Sequence, residues 1–223
     1  MPSLSADRIV FDLDDTLYLE RDFAFSGYAA ADDWLAGQGL GHGFAQTCRR
    51  LFHAGERRNI FDRAAQAAGL PSALVPALVE IYRSHMPRIA LCPDAARYLG
   101  GHGGFAIISD GTERTQRNKI AALGLDRWCD VIVPTGQWGA AYCKPHPRAY
   151  EAVAAASAGR RCVYVADNAA KDFLTPNRMG WLTVQILRPD RVHEGAPPTP
   201  AHAAMAVIDS LDQLDSTISA LGG

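Results

Sequence analysis

The sequence predicts an α/β fold: a parallel sheet flanked by helices, with a helical stretch inserted after the first strand. Three observations predict it. Five short apolar runs, rich in β-branched and aromatic residues, read as buried strands. Helical stretches of ~10–15 residues separate the last four runs, which implies parallel strands joined by right-handed crossovers. From Glu20 to about Arg88, between the first run and the second, no strand pattern occurs.

Each element has its own justification. Residues 8–13 (RIVFDL) form the first run and end in acids. The insertion reads as helices over 21–36, 44–53, 60–68 and 73–85, broken by Gly-rich loops. Pro71 and Pro76 suit the entry to the last of these, because proline is tolerated in a first helical turn. Leu74, Leu78, Ile81 and His85 recur there at helical spacing and give one mostly apolar face. The glycine run at 37–43 is read as a flexible connector, since no strand precedes it and its spacing is wrong for a dinucleotide site. A second glycine run, at 100–104, ends a helix and feeds the second strand, 105–108. A helix is expected over 113–123, then a strand over 131–133, a helix over 147–157 and a strand over 162–166. A helix over 169–179 and a strand over 181–187 complete the alternation. Residues 188–201, with four prolines, read as irregular, and 209–221 as a short strand-to-helix finish.

Composition bounds the function. The chain has 223 residues, of which 48% are hydrophobic and 21% charged, as in ordinary globular proteins. Its 22 basic and 24 acidic residues leave a net charge of -2, which argues against a nucleic-acid-binding surface. No apolar run reaches the ~18 residues of a membrane span. The first residues show no basic segment followed by a long apolar one, so no signal peptide is expected. Five scattered cysteines without a CxxC pair read as reduced thiols. The expectation is a soluble cytoplasmic protein, a monomer or homodimer, with a small-molecule partner and neither nucleic acid nor membrane.

The chemistry lies in four short stretches. The first strand ends in Asp12-Leu13-Asp14-Asp15-Thr16 and the second in Ser109-Asp110-Gly111. Lys144-Pro145 follows the third, and Asp167-Asn168 follows the fourth, with Asp172 five positions on. Ligands of open parallel sheets bind outside the carboxyl ends of the strands. Separate stretches therefore deliver a hydroxyl, a lysine and several carboxylates to one sheet edge.

FDLDDT at 11–16, ISDGT at 108–112, KPHP at 144–147 and VADNAAKDF at 165–173 occur in one order. In that order they resemble the haloacid dehalogenase superfamily over nearly the whole chain. The resemblance is to its magnesium-dependent phosphatase branch, with a helical cap after the first strand. It implies a Rossmann-like α/β core over 1–18 and 90–223 and a helical-bundle cap over 19–89. Asp12 would be the nucleophile that forms an aspartyl-phosphate, and Asp14 the general acid and then the base that activates water. Residues i and i+2 of an extended segment face one side, so both carboxylates can address one pocket. The implied Mg²⁺ ligands are the side chains of Asp12 and Asp167 and the backbone carbonyl of Asp14. Asp172 would be a ligand or would orient one. Lys144 would hold the nucleophile and the transferring phosphoryl group. Ser109 and the backbone N–H groups of Asp110 and Gly111 would bind phosphate oxygens. Three ionised aspartates and a phosphate dianion carry about five negative charges, which cannot assemble without Mg²⁺ and Lys144.

Other residues get smaller roles. The Asp110 carboxylate should turn to its own backbone, away from phosphate. Asp15 reads as a solvated acid or a helix cap, and Thr16 as a cap for the following turn. Asn168 would orient Lys144 or Asp167, or cap a helix. Tyr18 and Glu20 lie where the family has a mobile flap. Arg49, Arg50, His53, Arg57, Arg58, Arg83 and His85 are the polar candidates of the cap, Arg57 first, while Trp34 and Phe52 should pack its helices together.

The resemblance implies a Mg²⁺-dependent phosphomonoester hydrolase acting on a sugar phosphate or nucleotide. A phosphomutase would keep the same motifs. A 2-haloacid dehalogenase needs neither the acid at Asp14 nor a metal. A silent binding module should have lost one of Asp12, Asp14, Lys144 or Asp167.

Overall fold

The computed structural model describes residues 7–40 and 43–222. Gly41 and His42 of the glycine connector and the first six residues therefore lie outside the described residues. The chain divides into two compact units, one spanning Met1–Glu20 and Ala90–Gly223 and the other Arg21–Ile89.

The first unit is built on a six-stranded parallel sheet of order β3-β2-β1-β4-β5-β6. Its strands are β1 (Arg8–Phe11), β2 (Phe105–Ser109), β3 (Cys129–Pro134), β4 (Cys162–Ala166), β5 (Leu182–Ile186) and β6 (Ala206–Ile208). β1, β2 and β4 are buried at every position, which is why they read as continuous apolar runs. One core layer joins Val10, Ala106, Ile108, Tyr150, Tyr164 and Phe173. Phe11, Tyr98 and Phe105 pack edge-on or tilted against one another in a separate aromatic group.

Two expectations change and one gains its bounds. The final strand precedes residues 209–221 instead of opening them; that segment supplies a 3-10 turn, Leu211–Gln213, and a helix, α9 (Leu214–Leu221). The helix that the glycine run at 100–104 was expected to end, given no bounds from sequence, is α5 (Pro93–Gly101), with proline in its first turn. The helix expected over 169–179 shrinks to α8 (Leu174–Arg178). The reason is local: Pro176 has no N–H to donate to the Asp172 carbonyl, so the helix starts late enough to keep the proline in its first turn. Before it, Asn168 Oδ1 accepts the Ala170 N–H and Asp172 Oδ2 accepts the Asn168 N–H, both at 3.0 Å, and hold a turn. The remaining helices of the unit, α6 (Glu113–Leu123) and α7 (Arg148–Ala156), fall where the sequence places them.

The second unit is helical. It holds α1 (Glu20–Gly37, whose first residue belongs to the other unit), α2 (Phe44–His53), α3 (Ile60–Ala67) and α4 (Val75–Ser84). The predicted helix over 73–85 starts with a 3-10 turn, Ser72–Leu74, before α4, which carries Pro76 in its first turn. Tyr28, Leu35, Phe44 and Leu78 centre its apolar core, with Trp34 and Phe52 packed against it. A Cβ at Gly27 would fall 2.3 Å from the Tyr82 ring, so glycine is what lets α1 and α4 approach. No helix among the described residues is long and apolar enough to cross a membrane.

Candidate active site

The site forms at the carboxyl ends of β1, β2 and β4, adjacent strands at the centre of the sheet. The order reverses between β1 and β4, and that is where a crevice opens in such sheets. The Asp12 N–H continues the β1–β4 pairing by donating to Val165 O at 2.9 Å, which sets the Asp12 side chain beside the start of the β4 loop.

Carboxylate oxygens of Asp12, Asp167 and Asp172 lie within 4.8 Å of one another, and all three residues are buried. The Lys144 ammonium lies 2.9 Å from Asp12 Oδ1 and 2.7 Å from Asp172 Oδ1, and it donates to Tyr164 Oη at 3.1 Å. The contact to Asp172 is an ion pair off hydrogen-bonding geometry, since Asp172 Oδ1 has no hydrogen-bond partner. Asp167 Oδ2 is also buried without a hydrogen bond. One lysine cannot compensate three buried acids. Burial pushes the Asp12 carboxyl up to about 6 against the pull of Lys144, with Asp172 adding to the rise. Burial, then Asp12 and Asp172, push Asp167 up to about 9. Burial works against the charged form of Lys144, but Asp12 and Asp172 outweigh it and raise its pKa.

This donor set fits a hard divalent cation. Its atoms are carboxylate oxygens, and a buried acceptor stands unpaired. Asp12 and Asp167, with Asp172 beside them, would hold it.

Asp14 belongs to a second group. Lys119 Nζ reaches both of its oxygens, at 2.6 and 2.9 Å, and the Tyr18 hydroxyl donates to Oδ1. Burial pushes this carboxyl up, but Lys119 and Tyr18 outweigh it and hold the pKa below the usual range. Glu20 lies nearby; burial, then the charge of Asp14, raise it to about 7.

The loop after β2 is a third group. Ser109 is buried and donates from Oγ to Gln116 Oε1 at 3.0 Å, while Gln116 Nε2 donates to Asp110 O at 2.7 Å. Gly111 has φ 132°, and a Cβ there would fall 2.3 Å from Gln116 Nε2, so only glycine fits. The Asp110 carboxylate does not turn to its own backbone. Oδ1 accepts the Thr135 hydroxyl at 2.8 Å and the Lys144 N–H at 3.0 Å, and Oδ2 pairs with Lys171 Nζ at 3.0 Å. The physical reason is that two cations and two donors outside its own loop satisfy it better. Burial raises its pKa, but Lys144 and Lys171 win and lower it.

The smaller expectations divide. Asp15 is buried, not solvated, with φ 50°; its oxygens accept the N–H groups of Glu20 at 2.8 Å and Val192 at 2.6 Å. Thr16 Oγ1 is buried with no hydrogen-bond partner among the described residues, so it caps nothing. Asn168 turns to Ala170 instead of Lys144 or Asp167. Arg57 donates to Phe52 O and Glu56 O and covers the Phe52 ring, which occupies it within the helical unit.

Sequence reasoning missed Lys119, Lys171, Gln116, Thr135 and Tyr164. A signal existed for two of them. On α6, Gln116 and Lys119 fall on the same buried stripe as Ile120 and Leu123, and a polar residue on an apolar stripe needs a partner.

The family described as haloacid dehalogenase-like hydrolases matches residues 6–180. The chain belongs to that family. L-2-haloacid dehalogenase from Xanthobacter autotrophicus shares its fold at TM-score 0.61 and 18% identity, over 97% of this chain and 99% of that one. The 2-haloacid dehalogenase of Pseudomonas syringae pv. Tomato DC3000 does so at 0.65 and 20%, over 97% and 100%. The HAD hydrolase YfnB of Bacillus subtilis, whose structure is bound to magnesium, does so at 0.61 and 15%, over 96% and 100%. No curated protein matches the sequence.

Proposed function

We propose that this haloacid dehalogenase-like hydrolase is a Mg²⁺-dependent phosphatase acting on a small phosphorylated metabolite, a sugar phosphate or a nucleotide. The observation that carries the reading is the trio Asp12, Asp167 and Asp172, with a buried oxygen of Asp167 left unpaired. Displacement of halide by an aspartate has no need of such a trio. Bound Mg²⁺ would draw charge from the phosphoryl oxygens and keep the carboxylates ionised.

The chain's own residues supply the rest. Asp12 attacks phosphorus, the bond to the leaving oxygen breaks, and Asp14 protonates that oxygen. Asp14 then takes a proton from the water that attacks the aspartyl-phosphate, which frees Asp12 and inorganic phosphate. Lys119 and Tyr18 keep Asp14 oriented through both half-reactions. At rest they favour its ionised form, the form of the second step. An incoming dianion raises its proton affinity for the first step. Lys144 holds Asp12 in line and offsets charge on the transferring group.

The second reading, a 2-haloacid dehalogenase, has the names of two structural neighbours in its favour. At 18% and 20% identity their likeness carries the fold alone. Purified protein should release phosphate from p-nitrophenyl phosphate or a metabolite panel with Mg²⁺, and stop with EDTA. Chloride release from 2-chloropropionate, unaffected by EDTA and without phosphate release, would reverse the assignment.

A further inference from the structure

Lys171 has no role in the chemistry described above, yet it pairs with Asp110 and lies within the electrostatic reach of Asp12, Asp14 and Asp172. It lies on the loop between Asp167 and Asp172, and its side chain is 30% exposed against 0% for Lys144 and 5% for Lys119. Lys144 is enclosed by Asp12, Asp172 and Tyr164, and Lys119 is held by both oxygens of Asp14. Lys171 makes one ion pair, at 3.0 Å, with an Asp110 oxygen that accepts nothing else. The pair is part-buried, and its lysine is the more exposed partner, at the edge of solvent. Asp110 sits between Ser109 and Gly111, the stretch that the phosphatase reading assigns to phosphate oxygens. The charges of Asp12 and Asp172 also act on Lys171, and Lys171 acts in turn on Asp14 and Glu20.

We infer that Lys171 is a second phosphoryl-binding cation, parked on Asp110 in the free protein and transferred to the substrate's anionic group on binding. The five aspartates 12, 14, 110, 167 and 172 face only three lysines, so a dianion needs every cation that can turn to it. Lys171 is the one with the least to give up. No bond is made or broken; a carboxylate partner is exchanged for a phosphate oxygen. The inference rests on the phosphatase reading for its ligand.

Calorimetric titration of the whole protein with inorganic phosphate, Mg²⁺ present, tests it without turnover. Lys171→Met should weaken phosphate binding at least about tenfold, as expected for a lost charge-assisted hydrogen bond, and Lys171→Arg should restore most of it. Asp110→Asn keeps an oxygen for Thr135 and the Lys144 N–H but releases Lys171, so it should tighten binding a few-fold. The opposite signs exclude a merely structural pair, for which both substitutions weaken binding. Unchanged binding in Lys171→Met, or equal losses in Lys171→Met and Asp110→Asn, overturns the inference. Wild-type protein that binds phosphate but hydrolyses no phosphate ester would overturn the phosphatase reading and leave this test intact. Wild-type protein that binds no phosphate would overturn both.

Discussion

The two units bury different things. In the sheet unit, Asp12, Asp167, Asp172 and Lys144 are all buried where β1 and β4 end. In the helical unit the buried cluster is apolar and aromatic, with Tyr28 stacked on Tyr82 at 5.8 Å and Phe61 edge-on to the same ring at 5.3 Å. Its arginines satisfy local groups, as Arg57 does with Phe52 O and Arg50 with Thr47 Oγ1. Buried charge is costly, so a fold keeps it where a cation or a reaction compensates it. Buried charge is therefore concentrated in the sheet unit, where the chemistry is proposed, and the helical unit is held together by packing.

Substitutions can break that contrast. The largest effect should come from Asp12→Asn, which removes the proposed nucleophile; on the phosphatase reading, phosphate release should fall at least about a thousandfold while the thermal melting point holds or rises. Retained turnover would remove the sheet edge from the chemistry. Phe44→Ala in the helical unit should cost about 3–5 kcal/mol in urea unfolding, the usual range for a buried phenylalanine.

A pH series sharpens the comparison further. Asp12 and Asp167 titrate higher folded than unfolded, so the folded state binds more protons. Metal-free stability should therefore fall as pH rises from about 4 toward 9. Mg²⁺ held by this cluster, as proposed, would relieve that penalty, so its stabilising shift in melting point should be larger at pH 8 than at pH 6. A shift independent of pH would contradict the carboxylate cluster as its site. The smallest effect belongs to Arg57→Ala, expected to change stability by under about 1 kcal/mol because its contacts are exposed.

Much of the sheet unit was legible in the sequence. Buried parallel strands leave continuous apolar runs, and Asp12, Ser109, Lys144 and Asp167 sit at or after their ends. Residue 110 shows where legibility stopped. Its place beside Ser109 was plain, but its partners Thr135, Lys144 and Lys171 come from 25, 34 and 61 residues away. No local pattern encodes such distances. Lys119 is a similar case, 105 residues from the Asp14 it holds. In the helical unit the helix positions were readable from periodicity, but no polar residue could be singled out there, because Arg57 and its neighbours have the spacing of an ordinary solvated face.

Local sequence was enough for the alternation of strand and helix through β5, the place of the insertion and the polar residues that follow β1, β2 and β4. Those properties follow from periodicity and spacing, which act over a few residues. Only the tertiary structure decided how the charges pair: Lys144 with Asp12 and Asp172, Lys119 with Asp14, and Lys171 with Asp110. The reason is that ion pairing depends on distance in space and on exclusion of water, and strand order and burial set both.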